Sequence, residues 1–426
     1  MLMLVVFILG YLAIALEHPL KVDKAASALI IGALGWALYA FSGADSHHVG
    51  EHLAHHLVDV AEILFFLLGA MTIVELIDAH QGFAVITDRI TTTKRVPLMW
   101  ILTVLSFFFS AALDNLTTAI VMSALLTKLI KDKEDLWMFA GMIIIAANAG
   151  GAWSPIGDVT TIMLWIGGQV TAANIITSVI IPSMVCLIVP MIYITFRLKG
   201  NITRPNAGDA IEHITNPTTP FERKFVFILG VCGLLFVPVF KTVTHLPPYV
   251  GILFSLGVMW LATELLHRSK NHEHKSDLTV IGVLKKIDVP TIFFFLGILL
   301  AVASLQSMGH LGDMAVILDN TFNGDIYAIN IIIGLLSSIV DNVPLVAGAM
   351  GMYEIAETGL FAVDGTFWEF LAYCAGTGGS VLIIGSAAGV AVMGILKIDF
   401  IWYMKRISFL AFLGYIAGAI TYILLQ

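Results

Sequence analysis

Apolar residues along the chain fall in blocks of about 17–25, divided by short polar stretches that carry most of the Lys and Arg. That block length lets a helix cross a bilayer core of about 30 Å, whereas a membrane barrel would show shorter, alternating segments. The pattern predicts spans at 2–16, 25–42, 60–77, 136–172, 173–196, 223–240, 248–267, 290–307, 366–396 and 402–425. The spans at 136–172 and 366–396 are interrupted by polar breaks, and two further apolar segments, 98–130 and 326–355, are polar at their centres. The linkers at 199–222 and 267–288 are polar and carry no motif.

The basic residues test this scheme, because cytoplasmic loops collect Lys and Arg. If 98–130 and 326–355 enter and return as re-entrant helical hairpins, 21 of the 22 Lys and Arg fall on one side and only Lys241 on the other. If both segments crossed fully, the groups Lys128–Lys133 and Arg197–Lys224 would change sides and the separation would collapse. The expected architecture is an all-α polytopic membrane protein with ten transmembrane spans, two hairpins entering from opposite sides, and both termini outside.

Composition agrees. Of 426 residues 58% are apolar and 12% charged, with a mean hydropathy of +0.93. Soluble domains are closer to half apolar and a quarter charged, which excludes a soluble enzyme, a disordered chain or a nucleic-acid binder. Cys186, Cys232 and Cys374 lie singly in apolar stretches, without the spacing of a disulfide or metal site. The first block has neither a basic run before it nor a small-residue cleavage site after it, so it reads as a span rather than a signal peptide.

The two halves match at an offset of 227–228 positions. Phe65-Phe66-Leu67-Leu68-Gly69 corresponds to Phe293-Phe294-Phe295-Leu296-Gly297, Ser110 and Asp114-Asn115 to Ser337 and Asp341-Asn342, and Gly150-Gly151 with Gly157 to Gly378-Gly379 with Gly385. A third Asp-Asn pair, Asp319-Asn320, has no counterpart. With an odd number of crossings in each half, 1–198 and 223–426 become inverted repeats joined by the 199–222 linker. Inverted repeats with broken helices near the midplane are a carrier architecture.

Non-helical backbone at membrane depth survives only where protein buries it or it lines a cavity. Four such places are legible: Ser110–Thr118; Asn148–Thr161 with Ser154, Asp158, Thr160 and Thr161; Ser337–Pro344; and Gly376–Ser386 with Thr377 and Ser380. A charge at the bilayer centre costs about 2.5–3.5 kcal/mol on insertion scales, so Asp114, Asp158 and Asp341 mark an ion pathway. Capping a returning helix is the plainer use of each Asp, but Ser or Thr would cap without that cost. Carboxylates, Asn carbonyls and hydroxyls form a hard-oxygen set suited to a small cation. No Arg or Lys lies in any break to hold an anion. An anion would have helix N-termini and would meet three acids there. A buried carboxyl holds its proton to higher pH, so proton and sodium compete for it, and alternating access turns the competition into antiport.

The segment 47–59 places His47, Glu51 and His55 in one row at four-residue spacing and His48, His52 and His56 in another. A solvated helix face is the plain reading; pH sensing and metal binding are the sharper ones. Glu62 and Glu75 fall within the third span, where acids read as functional unless they sit at an interface.

At the four breaks the sequence resembles the NhaD-type sodium/proton antiporters of the ion transporter superfamily, over essentially the whole chain. The most specific parts are Asp114-Asn115, Asp341-Asn342 and the run Asn148 to Thr161. The resemblance implies two hairpins and two interrupted helices enclosing an ion site, and a transport domain moving against a scaffold, often in a homodimer. It implies Na+ and Li+ as cations, no cofactor, and ligand or proton-carrier roles for Asp114, Asn115, Asn148, Asp158, Thr160, Thr161, Ser337, Asp341 and Asn342. The second break departs from the first: Ser386 stands where Asp158 has its counterpart, and Leu382 where Ser154 does. Related branches look like sodium-coupled dicarboxylate symporters or arsenite exporters. Acids at both hairpin tips argue against symport of a small anion, and a membrane-embedded enzyme or channel is the remaining class. Expected partners are the lipid bilayer and monovalent cations, without nucleic acid, in the plasma membrane of a prokaryotic cell.

Overall fold

The computed structural model describes residues 2–42, 45–204, 218–268 and 276–426. Lys270, Lys275 and the middle of the 199–222 linker lie outside the described residues. Within them every extended element is a helix, and pairing between extended segments is limited to the isolated bridges Lys94–Asn201 and Ala356–Ala362.

In chain order the helices are α1 (Leu2–Ala15), α2 (Glu17–Leu20), α3 (Lys24–Phe41), α4 (Ser46–Ala79), α5 (Ala84–Thr87), α6 (Arg95–Leu113) and α7 (Asn115–Leu129). There follow α8 (Lys133–Ala152), α9 (Val159–Ile166), α10 (Ala172–Arg197), α11 (Pro220–Thr244), α12 (Pro248–Leu266), α13 (Val280–Leu284) and α14 (Val289–Ser307). The last are α15 (His310–Phe322), α16 (Ile326–Leu336), α17 (Asn342–Met352), α18 (Thr366–Gly378), α19 (Ala387–Leu396), α20 (Phe400–Arg406) and α21 (Ser408–Leu425). Among the described residues nine helices are long and apolar enough to cross a membrane, or ten if α19 and α20, bent by 118°, are counted as one span. The chain is a polytopic α-helical membrane protein.

Two expected elements come out differently. The first span is a helix of 14 residues, about 21 Å at 1.5 Å per residue and short of the bilayer core. The polar segment ahead of the third span continues the helix: α4 runs unbroken for 34 residues, capped at its start by Asp45, which accepts from His47 N–H.

The helices pack in two groups. In one, α3 lies along α14 and α1, and α4 against α11, α12 and α14. In the other, α6, α7, α10, α18 and α19 surround α8, and α21 covers α10 and α18. In α8 89% of the apolar window is buried, against 22% in α11 and 28% in α12, so α8 is enclosed by protein while α11 and α12 present their side chains outward.

Where lipid gives no hydrophobic drive between helices, small residues allow backbones to touch. A Cβ on Gly150 would lie 2.1 Å from the Phe107 carbonyl oxygen, and one on Gly378 2.0 Å from that of Gly334. Ser110 Oγ donates to the Ala147 carbonyl at 2.5 Å and Ser337 Oγ to that of Ala375 at 3.0 Å. In both comparisons the second contact is the first displaced by 227–228 positions.

The ends of the broken segments are tied together. Arg95 N–H donates to Gly200 O, Ile202 N–H to Thr93 O and Lys131 N–H to Thr203 O, so α6 begins where α7 ends. The start of α8 lies there too: Asp135 pairs with Arg95 at 2.7 Å, Glu134 with Arg406 at 3.1 Å, and Trp137 Nε1 donates to Leu396 O. Beyond α9, Thr171 N–H donates to Asp364 and Asp364 N–H to Gln169 O. Asn330 at the start of α16 donates to Phe367 O, and Tyr353 at the end of α17 packs its ring 4.8 Å from that of Phe367. Thus α16 begins where α17 ends, at the other end of the path from α8 through α9.

Candidate functional site

Four helices start at the breaks, and each is capped by a residue the break supplies. Asp114 accepts from Thr117 N–H and hydroxyl, both at 2.8 Å, ahead of α7. Asp158 accepts from Thr160 N–H at 2.9 Å and its hydroxyl at 2.8 Å, ahead of α9. Asp341 accepts from Val343 N–H at 3.2 Å ahead of α17, and Ser386 from Gly389 N–H at 3.1 Å ahead of α19. Capping is therefore a role of all three acids, but a carboxylate has about four acceptor positions and the remainder distinguish them.

At Asp158 the remaining positions are taken by amides from both hairpin tips. Asn115 Nδ2 donates to Oδ2 at 2.6 Å, and Asn342 Nδ2 lies 3.4 and 3.5 Å from the two oxygens. The same Asn115 nitrogen donates to Asn148 Oδ1 at 3.1 Å, and Asn148 Nδ2 donates to Ser380 Oγ and Ser386 Oγ, both at 2.9 Å. All four breaks thus meet in one network. Asn148 is fully buried and Asp158 is 1% exposed. The Asp158 carboxylate accepts two bonds from Thr160 and contacts from two amides, the partners an ionised carboxylate takes.

The other anticipated hydroxyls brace backbone around this centre. Ser154 donates to Ala111 O at 2.5 Å, Thr161 to Asp158 O at 2.8 Å, Ser337 to Ala375 O, and Thr377 to Tyr373 O at 2.6 Å. Asp114 stands aside, in a pocket lined otherwise by apolar residues, among them Phe66, Leu67, Leu113, Ile156 and Leu234. Its backbone, at φ 91° and ψ 160°, occupies a region that costs a residue other than Gly about 1–3 kcal/mol.

Asp341 has a partner the sequence does not announce. Lys24 Nζ lies 3.0 Å from its Oδ2, with the two side chains 21% and 13% exposed. The Lys24 ammonium also sits over the Phe294 ring, 4.2 Å from its centroid. A cleft lined by Glu17, Lys24, Ile339, Asp341, Ser386 and Val390 reaches the edge of the network. Beside it a cavity of about 200 Å³ is lined by Glu17, Asp23, Lys24, Leu116 and Asp288.

The remaining candidates lie elsewhere. Glu75 lines a cavity of about 140 Å³ with Asp78, Thr117, Lys286 and Asp288. Glu62 lines a larger one of about 300 Å³ with His55, His56, Asp59 and Gln306. His47, His48 and His55 are exposed on α4; the His52 ring lies 4.1 Å from that of His48, tilted by 52°, and half-buried His56 meets Ser307 Oγ at 3.2 Å. The potential ligand atoms of His55, His56 and Asp59 lie within 4.8 Å of one another.

A helical bundle with nine or ten candidate spans among its described residues, whose four breaks meet around a buried carboxylate, has the form of an ion-transport membrane protein. The model of a family described as "Citrate transporter" matches residues 3–369. "Sodium/proton antiporter 1" of Arabidopsis thaliana is 44% identical, covering 99% of this chain and 72% of its own length. "Sodium/proton antiporter 2" of the same plant is 42% identical over 99% of this chain and 98% of its own, and "Na(+)/H(+) antiporter NhaD" of Vibrio cholerae is 31% identical over 99% and 91%. The chain belongs to the NhaD-type sodium/proton antiporter family of the ion transporter superfamily. Strong matches from a plant give no support to the expected prokaryotic source.

Proposed function

We propose that this protein exchanges Na+, and Li+, for H+ across its membrane by alternating access, the Asp158 carboxylate taking proton or cation in turn. The observation that carries the proposal is the convergence of Asn115 and Asn342, one from each Asp-Asn tip, on that single buried carboxylate. Turning either amide about its side-chain torsion offers a carbonyl oxygen in place of N–H. Donors to an ionised Asp158 thereby become ligands of a Na+ beside it, with the Asn148 carbonyl and the hydroxyls of Thr160, Ser380 and Ser386 completing a hard-oxygen set. Four converging helix N-termini would by themselves favour an anion. Three carboxylates stand at those N-termini and reverse the preference, which weighs against carriage of a citrate-like substrate. The names of the sodium/proton antiporter relatives support the same choice.

In this reading α6–α7 and α16–α17 are re-entrant hairpins, and 1–198 and 223–426 are inverted repeats. The tied helix ends and the contacts repeated at 227–228 positions support it. The α8-centred group is the moving body and the α3–α4–α11–α12–α14 group the scaffold, with the end bearing Arg95, Lys131, Lys133 and Arg406 cytoplasmic and both termini on the far side. The cleft to Asp341 and Ser386 shares Glu17, Lys24 and Val390 with the cavity that Asp288 lines, and with Lys286 beside Asp288 in the next cavity it is read as facing the cytoplasm. The test is collapse of a preset pH gradient in proteoliposomes. Na+ or Li+ collapses it with the native protein and not with Asp158→Asn; sodium-driven citrate uptake without proton movement would reverse the assignment.

A further inference from the structure

Lys24 and Asp341 are separated by 317 positions and form an ion pair at the margin of the polar network. Capping of α17 does not require it. Asp341 accepts the Val343 N–H through Oδ1, and the lysine is held by Oδ2. Lys24 begins α3, which packs on α14, while Asp341 caps the start of α17, which packs on α14 and α18. The pair therefore joins the scaffold to a hairpin tip.

An ammonium 3.0 Å from a carboxylate oxygen occupies ground that an alkali cation bound to the same carboxylate would need. Two unit positive charges a few ångströms apart in a water-poor site repel strongly, so both do not stand there together. We infer that Lys24 is a resident counter-cation of Asp341: it neutralises the carboxylate while the site holds no transported ion and gives way when Na+ arrives. Lys24 then sets the apparent affinity for Na+. This rests on the proposed cation site at Asp158 and extends it to Asp341, which shares a cleft with Ser386 of the network and precedes Asn342, whose amide meets Asp158.

Two features fit a side chain that alternates between positions. The Phe294 face, 4.2 Å from the ammonium, stabilises the paired position through a cation–π contact. Glu17, Asp23 and Asp288 line the adjoining cavity of about 200 Å³ together with Lys24. The flexible four-carbon stem therefore has other carboxylates to turn to when it leaves Asp341, and the charge is not stranded.

The test measures the Na+ KM and maximal exchange rate in proteoliposomes, at an alkaline pH where the carboxylates are ionised, for the native protein, Lys24→Met, Lys24→Arg, Asp341→Asn and the double variant Lys24→Met with Asp341→Asn. Removing the competitor lowers the Na+ KM of Lys24→Met by about tenfold or more, while the maximal rate changes less. Arg grips a carboxylate through two parallel bonds, so Lys24→Arg raises KM. Asp341→Asn raises KM alone, and adding Lys24→Met to it changes KM no further. An unchanged or raised KM in Lys24→Met, alongside a raised KM in Asp341→Asn, overturns the counter-cation role and leaves that of Asp341 standing. An unchanged KM in Asp341→Asn overturns both. If Lys24→Met does not reach the membrane folded, Lys24→Arg decides the matter: an unchanged or lowered KM contradicts the inference.

Discussion

Asn115 donates to the Asp158 carboxylate at 2.6 Å, which ties the first residue of α7 to the residue ahead of α9. Both helices start inside the protein, and the bond joins two N-termini through one amide and one carboxylate. Asn148 extends the link to Ser380 and Ser386 of the second half.

Asn148→Ala removes the acceptor of Asn115 and the donor to two buried serines at once. Each buried polar group left without its partner costs about 1–3 kcal/mol. The expected outcome is a clearly lowered unfolding midpoint in detergent together with a raised Na+ KM. An unaltered midpoint would mean that the three partners find one another without Asn148.

Asp114→Asn separates capping from charge. Asn caps a helix about as well as Asp, and the substitution takes a carboxylate out of an otherwise apolar pocket. The variant should unfold at the same or a higher temperature; if Asp114 carries protons to the site, as the family resemblance implies, it should also lose about tenfold or more in exchange rate, the usual form of a trade between stability and function. A native rate would assign Asp114 to capping alone.

Gly150→Ala and Gly378→Ala should behave alike. A Cβ at either position meets a carbonyl oxygen at 2.1 or 2.0 Å, which forces α8 from α6 or α18 from α16. Overpacking of this kind costs about 1–3 kcal/mol or more and should lower the unfolding midpoint in both variants. Gly257→Ala in α12, where a Cβ meets nothing within 4 Å, is the control and should not destabilise.

Topology is open to chemical labelling. In a Cys232→Ser background, Lys94→Cys and Lys133→Cys should react with a membrane-impermeant maleimide from one side, and Asn323→Cys and Glu354→Cys from the other. All four positions are exposed. Labelling of Lys94→Cys and Lys133→Cys from opposite sides would make 98–130 a full crossing and end the hairpin reading.

Much of this was legible in the sequence, for physical reasons. α10, α11 and α12 stand out because a helix facing lipid must be apolar along its length. The breaks stand out because polar, glycine-rich runs are tolerated at membrane depth only where protein buries them. Asn115, Asn148, Asp158, Asn342, Ser380 and Ser386 all came from those runs, and they meet. Local pattern does not say which acid holds the amides, because Asp114, Asp158 and Asp341 share the same capping signature and differ only in distant partners. Lys24 reads as one more basic residue in a cytoplasmic turn, and its pairing with Asp341 spans most of the chain. The length of α4 was half legible: the four-residue spacing of its histidines reads as a helix face, but hydropathy marks only the apolar part and does not join that face to the third span.

The most direct test of the central claim is the proton balance of Na+ binding. Na+ is added to the purified, detergent-solubilised protein in weakly buffered solution while pH and bound Na+ are followed. Competition for Asp158 predicts that Na+ binding releases protons. Over the range where the site is protonated, apparent Na+ affinity should fall by up to about tenfold per unit drop in pH for each proton displaced. In Asp158→Asn both the release and the saturable Na+ binding should be lost. Na+ binding that releases no proton, or release that persists undiminished in Asp158→Asn, would contradict the account.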